Sequence, residues 1–498
     1  MPPISRVEYS ESNGVSLDPV PMYHHQQMKK NTGASKESRR QFLAKTGTTA
    51  FGLTILPRYV LGGRGFAPPS RKLNVAMIGT GGQGLQNLRN LLQEDDVQIT
   101  AIADVAESQD YSRYYHKVPG GRGPGLERIR EQYKNNPATK DYPDARVYVD
   151  FRKMLDTEKD IDAVVVSTPD HTHAIAAMAV LQRKKHLYNE KPLARTIWEV
   201  RKMTEAAREA GVVTQMGHQG HGGDGIRLTY EWIRGGAIGP VREVHAWSDG
   251  ANPNGCKAAT GNYPVPSGFD WDLWIGPVKH RSFHPAYTPC GWRQYWHFGT
   301  GRIADMGCHN MDPAFFALGL GYPEWVQARS AWGDRSMRPF AATVQYAFPA
   351  RGDMPPVKMT WYEGLMPPRP DELEPGRDLT GDGNGILFVG DKGKIMCAGW
   401  AGVPRIIPES KMQEYRRPPK TLPRVGGIYR DWINAIKDGK KASSDFSYSG
   451  PLTEVILMGV IAMRTEEKLY WDGPNMKASN FPDAEQYVIP QYENGWKI

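Results

Sequence analysis

The chain has 498 residues, 40% of them apolar and 23% charged, the make-up of a globular protein with room for two or three domains of roughly 100–200 residues each. These proportions exclude a wholly disordered chain, a collagen-like repeat and a disulfide-stapled miniprotein, and no apolar run of about 18 residues marks a polytopic membrane protein. The formal charge of +8 does not describe a nucleic-acid surface, because residues 1–72 hold eleven Lys or Arg against four Asp or Glu and leave the rest of the chain near neutral.

The basic leader, residues 1–70, reads as a targeting segment. Ser38-Arg39-Arg40-Gln41-Phe42-Leu43-Ala44-Lys45 resembles the twin-arginine export motif, and a modestly apolar stretch follows from Thr48 to Leu61. The bland alternative is an amphipathic surface helix that carries two arginines by chance. No small-x-small cleavage site precedes Pro68. Met28-Lys29-Lys30 has the form of a start followed by a basic region, so residues 1–27 are read as an over-long start assignment. The expected destination is periplasmic or otherwise exported, with the twin-arginine machinery as a partner.

Leu73 to Ile78 is a continuous apolar run that predicts a buried parallel strand. It runs into Gly79-Thr80-Gly81-Gly82-Gln83-Gly84, where Gly79, Gly81 and Gly84 fit G-x-G-x-x-G. Leu85, Leu88 and Leu91 then recur at helical spacing. A second strand, Val97 to Ala103, ends in Asp104, twenty residues beyond Gly84. The spacing has a chemical logic. Gly79 permits the turn, Gly81 admits a pyrophosphate, and Gly84 lets helix pack on strand, while the helix N-terminus offers free N–H groups. Asp104 would accept hydrogen bonds from the ribose hydroxyls and so select NAD over NADP. The competing reading is a structural glycine turn.

The alternation continues with strands at Val147 to Val149, Ile161 to Ser167, His186 to Asn189 and Val212 to Met216, and helices at Phe151 to Asp156, Ala174 to Gln182 and Val200 to Ala210. This rhythm predicts a parallel, doubly wound Rossmann domain over 71–217, followed by a C-terminal domain over 218–498. Residues 105–145 read as a surface excursion near the cofactor. In the C-terminal half only scattered elements emerge: strands at Thr343 to Phe348 and Val357 to Trp361, helices at Tyr429 to Lys437 and Leu452 to Glu466. The four cysteines, Cys256, Cys290, Cys308 and Cys397, form no C-x-x-C pair, which argues against a structural zinc site.

Two segments then narrow the reading. Thr168-Pro169-Asp170-His171-Thr172-His173 follows one strand and Asn189-Glu190-Lys191-Pro192-Leu193-Ala194 the next. With the glycine loop upstream, they resemble the TPxxxH and EKP segments of the Gfo/Idh/MocA family. Gly299 to Asp312 is similar to that family's glycine run followed by D-x-G-x-H, with Thr300 interrupting the glycines, Asp305 and His309 at i and i+4, and Asp312 on nearly the same face. The plainer alternative is a solvated helix face. Phe269 to Pro277, Trp292-Arg293, Asp445 to Leu452 and Glu493 to Trp496 resemble an exported bacterial subgroup. The resemblance covers nearly all of residues 71–498.

It implies a C-terminal α/β domain built on a large, mostly antiparallel open sheet, frequent homo-oligomers, and an NAD cofactor, which export away from free NAD would require to be tightly bound. It also implies hydride transfer between nicotinamide and a carbohydrate or cyclitol hydroxyl. Lys191 is then the candidate that stabilises developing negative charge, His309 the acid/base that titrates near neutral pH, and Asp305 the orienting carboxylate. Gly79, Thr80, Gly81, Gln83, Gly84, Asp104, Thr168, Pro169, His173, Glu190 and Lys191 are the cofactor-binding candidates. His218, His221, Trp292 and Arg293 are weaker candidates for substrate, the two histidines equally readable as incidental in a glycine-rich connector. Trp271, Trp274, Trp292 and Trp296 could stack on a sugar ring or fill a core. No metal is expected.

Two other functions stay open. Some relatives are redox-neutral glycoside hydrolases that oxidise a sugar hydroxyl transiently, eliminate across the glycosidic bond and return the hydride. A non-catalytic binding protein on this fold is the third reading, against which Lys191, Asp305 and His309 argue.

Overall fold

The computed structural model describes residues 72–112, 117–250 and 259–498. Arg39, Arg40, Met28 and Cys256 lie outside the described residues.

The first layer alternates as its sequence pattern requires. β1 (Leu73–Ile78), α1 (Gln83–Leu91), β2 (Val97–Ala103), α2 (Arg122–Asn135), β3 (Arg146–Tyr148), α3 (Phe151–Thr157), β4 (Ala163–Val166), α4 (Asp170–Gln182), β5 (His186–Asn189), α5 (Ile197–Ala210) and β6 (Thr214–Met216) follow one another. The central strands are apolar on both faces because helices cover both faces of a parallel sheet; all of β4 is buried, whereas no residue of the edge strand β3 is. The sheet runs β3-β2-β1-β4-β5-β6, parallel throughout. Strand order therefore reverses between β1 and β4, and ligands gather at the carboxyl ends beside such a switch point.

Three boundaries differ from expectation. The excursion at 105–145 contains α2, whose Ile129 and Tyr133 are buried; the Tyr133 hydroxyl accepts a 2.8 Å hydrogen bond from the Ile99 amide. α4 starts at Asp170 rather than Ala174, so His171 and His173 belong to its first turn. The long helix expected from Leu452 starts at Phe446 and carries Pro451 in its interior, a residue that on sequence reads as a helix start.

The second layer begins with α6 (Asp224–Arg234) and β7 (Val241–Ser248). It continues through α7 (Gly301–Asn310), α8 (Asp312–Leu318), β8 (Trp325–Ala331), β9 (Ala341–Phe348), β10 (Val357–Glu363), β11 (Asn384–Gly390), β12 (Gly393–Ala398) and β13 (Arg405–Ile407). α9 (Ile428–Asp438), α10 (Phe446–Thr465), β14 (Leu469–Asp472) and β15 (Lys477–Ala478) follow. The sheet of nine strands runs β13-β12-β11-β7-β10-β9-β8-β14-β15 and is antiparallel except between β7 and β10. Alternate residues of β9 are buried, the period of a sheet packed on one face. α10 is the one helix among the described residues long and apolar enough to cross a membrane, and 83% of its apolar window is buried; a helix apolar all round is a core helix here.

α9 returns to the first layer. The Tyr429 ring stacks on Tyr188 at 5.5 Å, Trp432 is fully buried, and Arg430 pairs with Asp96 at 2.9 Å. The described residues belong to one compact unit.

Candidate active site

The loop after β1 has the geometry its glycines predict. Gly79 sits at φ 89°, in the region where a side chain is strained. A methyl group at Gly84 would collide with the Gly79 carbonyl oxygen, so only glycine brings α1 this close to β1. A side chain at Gly81 would run into the Tyr111 hydroxyl. Asp104 accepts the Thr80 amide at 2.8 Å and the Ala106 amide at 2.9 Å. Burial raises its pKa against these donors.

A cleft opens at the carboxyl ends of the parallel strands. Gly79, Gly81, Gln83, Asp104, Thr168, Pro169, His173, Glu190, Lys191, Trp292 and Arg293 all line it. The fully buried Thr80 braces the loop through Asp104, and Gly84 packs behind the loop. His173 is fixed by the carbonyls of Pro192 and Thr168, each 2.7 Å away. Glu190 accepts 2.9 Å from the Asn87 amide, and Asn87 in turn accepts from the Tyr429 hydroxyl at 2.7 Å, so α9 helps to set the Glu190–Lys191 turn. Burial raises the Glu190 pKa, opposed by Lys191 and Asn87.

Lys191 meets α7 here. Its Nζ donates to Asp305 Oδ1 at 2.5 Å, and Arg293 and Arg302 stand 3.6 and 3.7 Å from the same carboxylate. Burial pushes the Asp305 carboxyl upward, but Arg293, Lys191 and Arg302 together overcome it and hold the group well below the usual carboxylate range. His309, one turn further along α7, is 3% exposed. Its Nδ1 has no hydrogen-bond partner among the described residues, and the Trp400 ring lies 5.8 Å away. Burial, then Lys191 and His218, push its pKa well below the usual histidine value. This corrects the expectation that His309 titrates near neutral pH: it stands as a neutral imidazole.

Asp312 leaves the Lys191 cluster and joins the loop after β6. His221 Nδ1 is 2.9 Å and His218 Nε2 3.3 Å from Asp312 Oδ2, and the Tyr448 hydroxyl donates to Oδ1 at 2.5 Å. All of these side chains but Tyr448 are essentially unexposed. The histidines therefore brace α8 from within and do not line the cofactor cleft. Their donor atoms and that of Asp312 lie within 4.8 Å of one another, close enough to share a metal ion, although hydrogen bonds already engage both carboxylate oxygens.

Three contributors escaped the sequence reading. Arg302 reaches Asp305 from the i−3 position of α7, a spacing that was available. Asp170 pairs with Arg293 at 2.8 Å and accepts from the Thr300 amide and hydroxyl; its place at the start of α4 was the signal. Tyr111 comes from the excursion and had none. Trp271 stacks on Trp274 at 4.8 Å. Trp271, Trp274 and Trp296 are all buried, Trp274 against the wall of the cleft, and the half-buried Trp292 also lines it.

Comparison with known proteins gives concordant results. Sequence models of one oxidoreductase family match residues 73–218, as its NAD-binding Rossmann fold, and residues 253–328, as its C-terminal α/β domain. A glycosyl hydrolase family 109 protein of Stenotrophomonas maltophilia is 32% identical over 29% of this chain and 27% of its own length. A 1,5-anhydro-D-fructose reductase of Ensifer adhaerens is 30% identical over 32% of this chain and 39% of its own. The match thus spans well under half of these curated relatives. The WlbA dehydrogenase of Bordetella pertussis, solved with NADH and UDP-GlcNAcA, shares the fold with a TM-score of 0.53 at 18% identity, over 81% of this chain and 99% of that one.

Proposed function

We propose that the chain is a Gfo/Idh/MocA oxidoreductase, from the family models that match residues 73–218 and 253–328, and that it is an NAD-dependent oxidoreductase acting on a carbohydrate or cyclitol hydroxyl. The observation that carries this reading is Lys191, which lines the same cleft as the glycine loop while Asp305 holds it at 2.5 Å.

The residues present fit a dinucleotide. Gly81 to Gln83 and the N-terminus of α1 offer backbone amides to a pyrophosphate. Asp104 lines the cleft, and a carboxylate has about four acceptor positions, so its bonds to Thr80 and Ala106 leave capacity for ribose hydroxyls. That carboxylate repels a 2′-phosphate, which supports NAD over NADP. Thr168, Pro169, His173 and Glu190 would hold the nicotinamide end. When bound, NAD supplies the hydride acceptor.

The chain supplies the rest. As the substrate C–H gives up a hydride, its hydroxyl must lose a proton and become a carbonyl. The Lys191 ammonium stabilises the negative charge that develops on oxygen. The neutral His309 imidazole, one helical turn from Asp305, is the group to accept the proton. Asp305 keeps the Lys191 ammonium in position.

A redox-neutral glycosidase is the second reading, favoured by the similarity to the family 109 hydrolase. The twin-arginine-like leader supports export. Outside the cytoplasm no pool of free NAD is expected, so a cofactor there is held tightly and reoxidised in place. The family resemblance supports a homo-oligomer. One experiment tests the set: denature the purified protein, identify the released cofactor, then follow single turnovers on free sugars and glycosides. A dehydrogenase accumulates NADH when no acceptor is present. A redox-neutral glycosidase shows only a transient and releases free sugar. Absence of any nicotinamide cofactor, bound or bindable, overturns both readings.

A further inference from the structure

A second cavity, of about 310 Å³, lies away from the glycine loop. It is bounded by the start of α5, by α10, by the segment Trp296–Thr300 and by the C-terminal stretch 486–493. Arg195, Arg281, Arg464, Lys279 and His297 all line it, against a single lining carboxylate, Glu493.

The positive charge is poorly compensated. Among the described residues none of the three arginines forms an ion pair. Arg195 donates only to the main-chain carbonyls of Trp296 and His297, at 3.4 and 3.1 Å. The Nε atoms of Arg195 and Arg281 are buried with no hydrogen-bond partner. Arg464 lies 4.0 Å from the Tyr487 ring and 5.7 Å from the Trp296 ring, contacts that shelter a guanidinium but bring no counter-charge. The indole N–H of Trp296, a residue 4% exposed, is likewise buried and without a partner.

The neighbouring acids offset the cluster only in part. Glu199 is hydrogen-bonded by Thr196 and by the Tyr492 hydroxyl at 2.9 Å and faces Arg195 alone of the arginines, while Asp334 is held by Ser336 and acts on His297. The crowding is felt by the cations themselves. Burial, then Arg281, Arg195 and Arg464, lower His297 to about 4, and burial, with Arg195, lowers Arg464 to about 10 despite Tyr487. Such a cluster is costly unless something anionic completes it.

We propose that this cavity is a second ligand site, for a small metabolite that carries a phosphate or carboxylate, separate from the cofactor cleft. The guanidinium forks of Arg281 and Arg464 match an oxyanion in two-point geometry. The Arg195 and Trp296 N–H groups add donors, and the Tyr487 ring bounds the less polar part of the ligand. The wall is shared with the active site, since Thr300 lines the cavity and also holds Asp170, the partner of Arg293.

The test uses the full chain saturated with NAD, so that the glycine loop cannot take the probe. Inorganic pyrophosphate, inorganic phosphate and citrate are titrated by calorimetry, with sodium chloride at matched ionic strength as the control. Saturable one-site binding of at least one anion is expected, with no response to chloride; which anion binds separates the phosphate source from the carboxylate source. Arg281→Gln and Arg464→Gln should each weaken it by roughly tenfold or more, as for a lost charge-assisted hydrogen bond, with NAD affinity unchanged. If Arg464→Gln fails to fold, Arg281→Gln alone carries the comparison. No saturable binding of any probe, or equal binding by both variants, overturns the proposal. So does a dimer that both variants dissociate, for then the counter-charge comes from a second copy.

Discussion

Asp305 faces three cations and therefore remains ionised throughout the working pH range, which fixes the Lys191 ammonium at one place in the cleft. Lys191→Ala removes the charge proposed to meet the reacting oxygen but leaves the glycine loop and Asp104 intact. NAD should still bind, by fluorescence titration, while turnover falls by roughly 10²–10⁴-fold, the range of a positioned acid/base group. His309→Ala should lose activity on the same scale. Because burial and Lys191 keep His309 neutral, its removal should leave the shape of the pH–rate profile between pH 6 and 8 about unchanged; loss of an ionisation near pH 6.5 in that variant would mean that His309 titrates after all. The trio was legible because motif and i,i+4 spacing put Asp305 and His309 on one helix face. The charge state was not, since it depends on residues brought in from β5, the loop after β6 and α7 together.

The glycine loop and α1 act as one element, and their closeness can be tested at Gly84. A methyl group there would drive into the Gly79 carbonyl oxygen, which is main chain and cannot swing away. Gly84→Ala should therefore cost about 1–3 kcal/mol, the usual penalty of overpacking. It should also weaken NAD binding by moving the α1 N-terminus; thermal unfolding and NAD titration read the two effects, and an unchanged pair of values would separate α1 from the cofactor site. This element was readable in advance, as were β1, β2 and β4, because central parallel strands bury both faces and stand out as apolar runs. α2 was hidden because Gly123, Pro124 and Gly125 break its helical signature at the start. The sheet of nine strands was hidden for another reason. β7 pairs with β10 and β11, more than a hundred residues on, and no local period records a pairing between distant segments.

At the scale of the whole molecule, buried histidines couple stability to pH. Burial holds His171 near a pKa of about 3, with its Nε2 2.8 Å from the Trp274 carbonyl. The folded state therefore keeps His171 neutral where the unfolded chain takes up a proton below pH 6.5, and acidification favours unfolding. The contribution reaches about 3 kcal/mol at pH 4. Asp104, Glu190 and Glu363, whose pKa values burial raises, push the opposite way. The quantity to measure is thus the difference between wild type and His171→Asn, which keeps a donor for Trp274: unfolding midpoints should converge as pH falls from 6.5 to 4, and parallel curves would refute a neutral His171. The same compactness bears on export. The cofactor cleft lies within one unit that also buries α9 and α10, so if the chain is exported as proposed, NAD would be loaded where NAD is plentiful, before transport. A route that moves folded protein meets that need, and Arg39-Arg40 is the signal that would select it. Replacing both arginines with lysine preserves charge and leaves residues 72–498 untouched. The double variant should accumulate in the cytoplasm with NAD bound and a normal unfolding midpoint, as read by fractionation and cofactor release. Export at the wild-type level would remove the twin-arginine assignment and, with it, the argument for a cofactor captured before transport.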